Sequence, residues 1–216
     1  SPEDYAAARR FDGIHNRWFV GALTRGRYPE HVLAALAPHM PEGWQDDMAA
    51  IAAPIDWLGV NYYTRTVVED APRALWPAFR DVPGPLPKTD MGWEIYPEGL
   101  RTILTRLARE YTGGTPLVVT ENGMAGNDQM LDGAVPDPVR VQFLDAHLGA
   151  VSAAIADGAP VRGYYAWSLL DNYEWSFGYD KRFGIVHVDY ANQTRVPKDS
   201  YHALQAAFAT PSVHRT

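Results

Sequence analysis

The sequence predicts an α/β protein assembled from repeated strand and helix units around a parallel sheet. Three short runs rich in apolar, β-branched and aromatic residues, Ile55 to Tyr63, Leu117 to Thr120 and Val161 to Ser168, alternate with longer segments whose apolar residues recur at three- and four-residue steps. Proline and glycine clusters fall between these segments, where they stop one element and open the next. Three strands would leave a parallel sheet with two open edges, so the sheet is either open or one part of a larger barrel.

The elements follow in order. Phe11, Ile14, Trp18 and Ala22 share one face of a helix from Asp4 to about Arg25, ending near Gly26. Short helices are expected around Leu33 to Ala37 and from Trp44 to Ala52, before the first strand. Between Thr64 and Tyr96 stand Pro72, Pro77, Pro83, Pro85 and Pro87, which exclude a regular helix or a central strand. Pro97 opens a helix with Leu100, Ile103, Leu104, Leu107 and Tyr111 on one face, stopped by Gly113-Gly114. After the second strand a polar loop runs from Asn122 to Val135. Asp137 is placed to cap a helix with Pro138 in its first turn and an apolar stripe of Val141, Leu144, Leu148, Val151 and Ile155. Gly158 and Pro160 close it, the third strand follows, and Ser200 to Phe208 forms a last helix.

Composition narrows the function classes. The 216 residues are 46% hydrophobic and 21% charged, as in globular domains, with a net charge of −7. No run of Lys or Arg is dense enough to grip phosphates, which makes nucleic acid a poor partner. The absence of cysteine excludes disulfides, thiolate metal sites and thiol nucleophiles. No apolar stretch is long enough to span a bilayer and no basic-then-apolar leader opens the chain, so the expectation is a cytoplasmic protein without membrane partners.

The 7 Trp, 12 Tyr and 7 Phe crowd into short stretches. Each ring alone is better read as core, but together they suit sugar binding, where ring faces pack on pyranose C–H groups and polar edges meet hydroxyls. In β/α architectures ligands bind at the carboxyl ends of the strands. Those ends are Asn61-Tyr62-Tyr63, Thr120-Glu121-Asn122 and Trp167-Ser168. Glu121 there is either a catalytic carboxylate or a residue closing the strand and capping the next turn. Rings alternate with carboxylates from Ser168 to Tyr179. Glu174-Trp175 can clamp sugar hydroxyls, whereas Tyr173, Phe177 and Tyr179 are expected to wedge the loop in place. His15, His31, His39, His147, His187, His202 and His214 include no pair at metal-ligand spacing, and no metal or other cofactor is expected. Asn127, Asp128 and Asp132 lack a calcium-loop pattern and read as a solvated turn. No phosphate-binding glycine loop is present.

Four motifs bring these residues together: DWLGVNYYT (56–64), MGWEIYPEGL (91–100), PLVVTENG (116–123) and YYAWSLLDNYEWSFGYDKRFGIVHVDY (164–190). In order and spacing they resemble the family 1 glycoside hydrolases, and Arg17-Trp18-Phe19 and RVPKDSY (195–201) extend the resemblance to nearly the whole chain. The resemblance implies a (β/α)₈ barrel that hydrolyses β-glycosides with retention, most simply unphosphorylated β-D-glucosides. It makes Glu121 the nucleophile and Tyr63 its hydrogen-bond partner. It places Asn61 near the aglycone, Trp167 under the sugar, Glu174 and Trp175 on its hydroxyls, and Phe183 in the pocket wall. The family's acid/base Glu lies in an Asn-Glu-Pro motif, which does not occur here. The resemblance therefore implies that residues 1–216 are the C-terminal part of one barrel, about strands six to eight. Strands one to five would come from a separate chain or a missing segment, and the lone chain would be inactive. The alternative is a non-catalytic sugar-binding or interaction module derived from the same fold.

Overall fold

The computed structural model describes residues 1–209, and His214 lies outside them. The helices are α1 (Pro2–Asp12), α2 (Trp18–Arg25), α3 (Glu30–Leu36), α4 (Trp44–Ile51), α5 (Pro97–Leu107), α6 (Pro138–Ala156) and α7 (Asp199–Ala209). The strands are β1 (Leu58–Asn61), β2 (Val68–Asp70), β3 (Phe79–Asp81), β4 (Leu117–Asn122), β5 (Val161–Ala166), β6 (Val186–Val188) and β7 (Arg195–Pro197). No helix among the described residues is long and apolar enough to cross a membrane. The chain divides into two compact units. One comprises Ser1–Leu58, Thr66–Pro85 and Arg106–Pro116, the other Gly59–Arg65, Leu86–Thr105 and the chain from Leu117 onward.

In the first unit the predicted N-terminal helix is α1 and α2 joined by a π-helical turn, Gly13–Arg17. Gly26, at φ 60°, ends it where predicted, because that left-handed turn carries no Cβ penalty at glycine. The Pro-rich segment holds more structure than the sequence suggested. β2 and β3 pair antiparallel, Val68 opposite Asp81. Arg10 fastens the hairpin to α1 by donating to Asp70 Oδ1 at 2.6 Å and to the carbonyls of Pro77 and Ala78 at 2.7 and 2.9 Å. The prolines flank these strands of three residues instead of interrupting a long one.

The second unit is organised by a three-stranded sheet in the order β1-β4-β5. β4 and β5 pair parallel. Leu58 N donates to Pro116 O and Tyr62 N to Glu121 O, both at 2.9 Å, so β1 and β4 advance in the same direction. Asn122, fully buried at the end of β4, pins all three: its Nδ2 donates to Tyr62 O and its Oδ1 accepts from the Tyr164 hydroxyl, each at 2.7 Å. The expected first strand is shorter than its apolar run, since Ile55 and Trp57 lie exposed before the ladder starts. The third ends at Ala166; Ser168 N already bonds to Phe183 O.

Beside the sheet, Met124, Phe143, Leu144, Ile185, Val186 and Leu204 form a core between the loop after β4, α6, β6 and α7. α6 starts and stops as predicted, but its buried stripe runs through Arg140, Phe143, Leu144, His147, Ala150, Val151 and Ala154. Ile155, assigned to the core face, is 42% exposed. Leu144 and Val151 lie on the stripe as expected and Val141 and Leu148 are half-buried; the stripe is shifted toward two polar residues, Arg140, which pairs with Asp128 twelve positions away, and His147, which bonds to Phe143 O one turn earlier. Asp137 does precede the helix, yet its carboxylate makes no cap; it accepts from Arg140 and from the backbone and hydroxyl of Ser200. The antiparallel pair β6 and β7, Val186 opposite Pro197, gave no sequence signal, because three residues are too few for an alternating pattern.

Candidate active site

Adjacent parallel strands present their carboxyl ends on one edge of a sheet, and the predicted site residues follow from that. Tyr63 stands just past β1, Glu121 at the penultimate position of β4, and Trp167 just past β5. The Tyr63 hydroxyl donates to Glu121 Oε2 at 2.7 Å. Its ring is held edge-on by Trp93 and Phe183, at centroid distances of 5.5 and 6.1 Å, and those two rings lie 6.1 Å apart. Phe183 is 2% exposed, which suits a wall. Burial, followed by the bond to Glu121 and the negative charge of Glu121 and Glu174, pushes the Tyr63 phenol far above its ordinary range. Tyr63 is thus fixed as a hydrogen-bond donor.

Glu174 belongs to the same electrostatic environment. Burial and the charge of Glu121 push its carboxyl up from the ordinary value, and a hydrogen bond with Trp167 opposes the rise. Glu121, Glu174, Tyr63 and Trp167 are thereby coupled. Trp175 is 80% exposed, at a positive φ of 46° in a 3₁₀ turn (Trp175–Phe177). Asn61 is exposed and accepts from the Thr120 hydroxyl at 2.6 Å; among the described residues no hydrogen bond joins it to Glu121 or Tyr63.

The glycine of the Thr-Glu-Asn-Gly run has a geometric cause. A Cβ on Gly123 would lie 1.8 Å from the Trp167 carbonyl oxygen, so only glycine lets the chain after Glu121 pass the chain carrying Trp167. Tyr173 and Tyr179, expected to wedge the loop, are 61% and 55% exposed. Their rings lie 5.5 Å apart, and Tyr179 lies 4.5 Å from Tyr190.

Sequence reasoning missed Trp93 as a site residue and missed the polar foundation under the loop that follows β5. Asp171, 4% exposed, accepts from Arg182 at 2.6 Å, from Lys198 at 2.9 Å and from Gly184 N at 3.0 Å. Lys198, fully buried, also donates to Asp128 at 2.5 Å, and Arg140 donates to Asp128 and Asp137 at 2.6 and 2.5 Å. Three carboxylates and three cations thus neutralise one another in a dry setting, a network costly to break by removing one member. Asp128 is therefore not part of a solvated turn. Burial disfavours its charge, but Arg140 and Lys198 prevail and hold its carboxyl below the usual range. The network fixes both ends of the segment that presents Glu174 and Phe183. Charged residues beside apolar ones, Arg140 between Val139 and Val141 and Asp171 after Leu169-Leu170, were the available signal.

A carboxylate aligned by a tyrosine at the carboxyl ends of parallel strands, walled by aromatic rings and beside a second carboxylate, is the arrangement of a glycoside hydrolase built on β/α units. The chain belongs to the family described as Glycosyl hydrolase family 1, whose profile matches residues 1–210 and whose members fold as (β/α)₈ barrels. It is 45% identical to beta-glucosidase A of Thermotoga maritima over 203 residues, covering 92% of this chain and 44% of that protein. It is 43% identical to a bifunctional beta-D-glucosidase/beta-D-fucosidase of Bifidobacterium breve, covering 92% of this chain and 47% of the relative. A family 1 β-glucosidase from Thermotoga maritima in complex with isofagomine lactam superimposes with a TM-score of 0.91 at 42% identity, over 96% of this chain and 47% of that one. The chain spans less than half the length of the relatives it matches.

Proposed function

We propose that this chain supplies the nucleophile and part of the glycone site of a retaining β-glucosidase. In this reading residues 1–216 are the C-terminal part of one barrel, and β1, β4 and β5 are its sixth, seventh and eighth strands. The observation that carries it is the 2.7 Å hydrogen bond from Tyr63 to Glu121 across two adjacent parallel strands. Glu121 attacks the anomeric carbon as the glycosidic C–O bond breaks. The leaving oxygen takes a proton from a second carboxyl, and a glycosyl ester forms on Glu121; water, deprotonated by that second group, then releases the sugar with net retention. Retaining chemistry needs the two carboxyls about 5–5.5 Å apart. Glu174 is assigned to the sugar hydroxyls, so the acid/base belongs to the barrel portion beyond these residues. Trp167 lies under the sugar, Glu174 and Trp175 clamp its hydroxyls, Phe183 closes the wall, and Asn61 faces the aglycone. The substrate is a terminal, unphosphorylated β-D-glucoside, a reading supported by the names of the relatives.

The test uses this chain assembled with a polypeptide that supplies the remaining strands. A slow 2-deoxy-2-fluoroglucoside should label the peptide containing Glu121, and Glu121→Gln should abolish turnover while sugar binding persists. A label on another residue, or near-normal turnover by Glu121→Gln, removes the assignment. Sugar binding by an assembly that never hydrolyses would instead support the non-catalytic module.

A further inference from the structure

We propose that the first unit carries a binding site for a small organic phosphate, in a cavity lined by Arg9, Arg25 and Arg27 and walled by Tyr28 and Tyr111. The cavity has a volume of about 640 Å³, within the range of small-molecule sites. Its lining inverts the charge of the protein. The chain carries a net −7, yet four arginines, Arg9, Arg17, Arg25 and Arg27, face the cavity with only Asp12 and Glu30 as acids.

The internal pairings show which of these charges are available. Arg17 is spent: it donates to Asp12 at 2.6 Å and lies 3.5 Å from Glu110, and Arg106 shares the same two carboxylates. Arg25 has its guanidinium 4.3 Å from the Tyr111 ring centre and donates to the backbone carbonyl of Glu110, which bears no charge. Arg9 and Arg27 have neither an ion pair nor a side-chain hydrogen bond among the described residues. Three cations therefore face Glu30 alone, an excess that a dianion neutralises. Guanidinium forks match the oxygens of a phosphate and hold it by paired, charge-assisted bonds. Tyr28, stacked on Trp18 at 3.8 Å, and Tyr111, fixed by Arg25 and by a 3.1 Å bond from Arg17, are rigid rings beside them. A phosphate carrying a compact, partly apolar body uses both features, whereas inorganic phosphate uses only the cations.

The experiment titrates the full chain with phenyl phosphate at pH 7.5 and low ionic strength, where the probe is mainly a dianion, followed by calorimetry and phosphorus NMR. One saturable site is expected, weakened at least tenfold in the Arg9→Ala/Arg27→Ala double variant and much less in the corresponding Lys double variant. Both arginines are exposed and unpaired, so circular dichroism of the variants should match the parent. Absence of saturable binding overturns the proposal, as does an Ala variant that titrates like the parent. Inorganic phosphate binding as tightly as phenyl phosphate would also overturn it, because the tyrosine walls would then contribute nothing.

Discussion

The Tyr63 hydroxyl reaches Glu121 Oε2 at 2.7 Å from the neighbouring strand, and Trp93 and Phe183 brace the tyrosine from two sides. The hydrogen bond aims one carboxylate oxygen and leaves the other open. Because its acceptor is charged, the bond is worth about 1.5–3 kcal/mol. Tyr63→Phe keeps the ring packing and removes only the donor. In the assembled enzyme it should lower kcat/KM for an aryl β-glucoside by about 10- to 100-fold, with little change in melting temperature. A loss below about threefold would mean that the bond does not serve the reaction.

Asn122 concentrates structural stability in one side chain. It is fully buried, and its amide joins the chain after β1 to β5 through Tyr62 O and the Tyr164 hydroxyl. Asn122→Ala removes both bonds and leaves two buried polar groups unsatisfied, which should cost about 2–4 kcal/mol. Asn122→Asp keeps an acceptor for Tyr164 but loses the donor to Tyr62 O, and it places a charge in a dry site. Denaturant unfolding checks both variants; a change under about 1 kcal/mol for the alanine would show that the strands are held by their backbone ladder alone.

The difference between what the sequence disclosed and what it hid has a physical pattern. Tyr63, Glu121 and Trp167 sit in short motifs at strand ends, and Glu174 and Phe183 in the loop that follows β5, so that local order in the chain becomes local order in space. Helix limits at Gly26, Pro97 and Pro138 were legible because the signal is backbone chemistry at one residue. Asp171, Lys198, Asp128 and Arg140 were not, since their ion pairs join residues 12 to 70 positions apart. Trp93 stood within a quoted motif, but its role depends on a ring contact with Tyr63, 30 residues earlier. The buried stripe of α6 was legible at Leu144 and Val151 but not at Arg140, whose partner Asp128 lies 12 positions away, nor at His147, whose ring is buried against Phe143 one turn earlier.

His147 should set an acid limit to stability. It is fully buried, Nδ1 donates to Phe143 O at 2.7 Å, and Nε2 has no hydrogen-bond partner among the described residues. Burial pushes the imidazole down to about 4, outweighing the backbone bond. The unfolded chain, with an ordinary value near 6.5, then binds more protons than the folded one between about pH 4 and 6.5. Stability should therefore be full above pH 6.5 and fall progressively on acidification to about pH 4, by about 3 kcal/mol from this residue. His147→Leu should flatten that part of the profile by about one proton. An unchanged slope in urea unfolding between those pH values would contradict the assignment.

The 216-residue chain by itself should not hydrolyse glycosides. General acid/base catalysis contributes about 10²–10⁴-fold, and the second carboxyl is assigned to the rest of the barrel. Tyr165, Leu169, Tyr173, Trp175 and Phe177 are all exposed on the second unit, and exposed apolar side chains in this number favour self-association or capture of the complementary portion. Light scattering with an aryl β-glucoside assay tests both statements. A monodisperse monomer of 24.0 kDa that cleaves the substrate efficiently would refute them together.

Glu174 should decide which sugars the assembled enzyme accepts. Its carboxyl is already pushed up by burial and by the charge of Glu121, so the site tolerates further negative charge poorly. A phosphate on the sugar's 6-hydroxyl would bring a dianion against it, a repulsion that discriminates strongly in a partly dry pocket. Neutral β-glucosides, whose hydroxyls can donate to the carboxylate, should be favoured for the same reason. Glu174→Ala should lower kcat/KM for p-nitrophenyl β-glucoside by at least tenfold, through unpaired hydroxyls, and lower it far less for the 6-phosphoglucoside. The ratio of the two substrates should therefore narrow in the variant. If the parent cleaved the 6-phosphoglucoside faster, or if the variant lost both substrates equally, Glu174 would not be the group that reads the sugar hydroxyls.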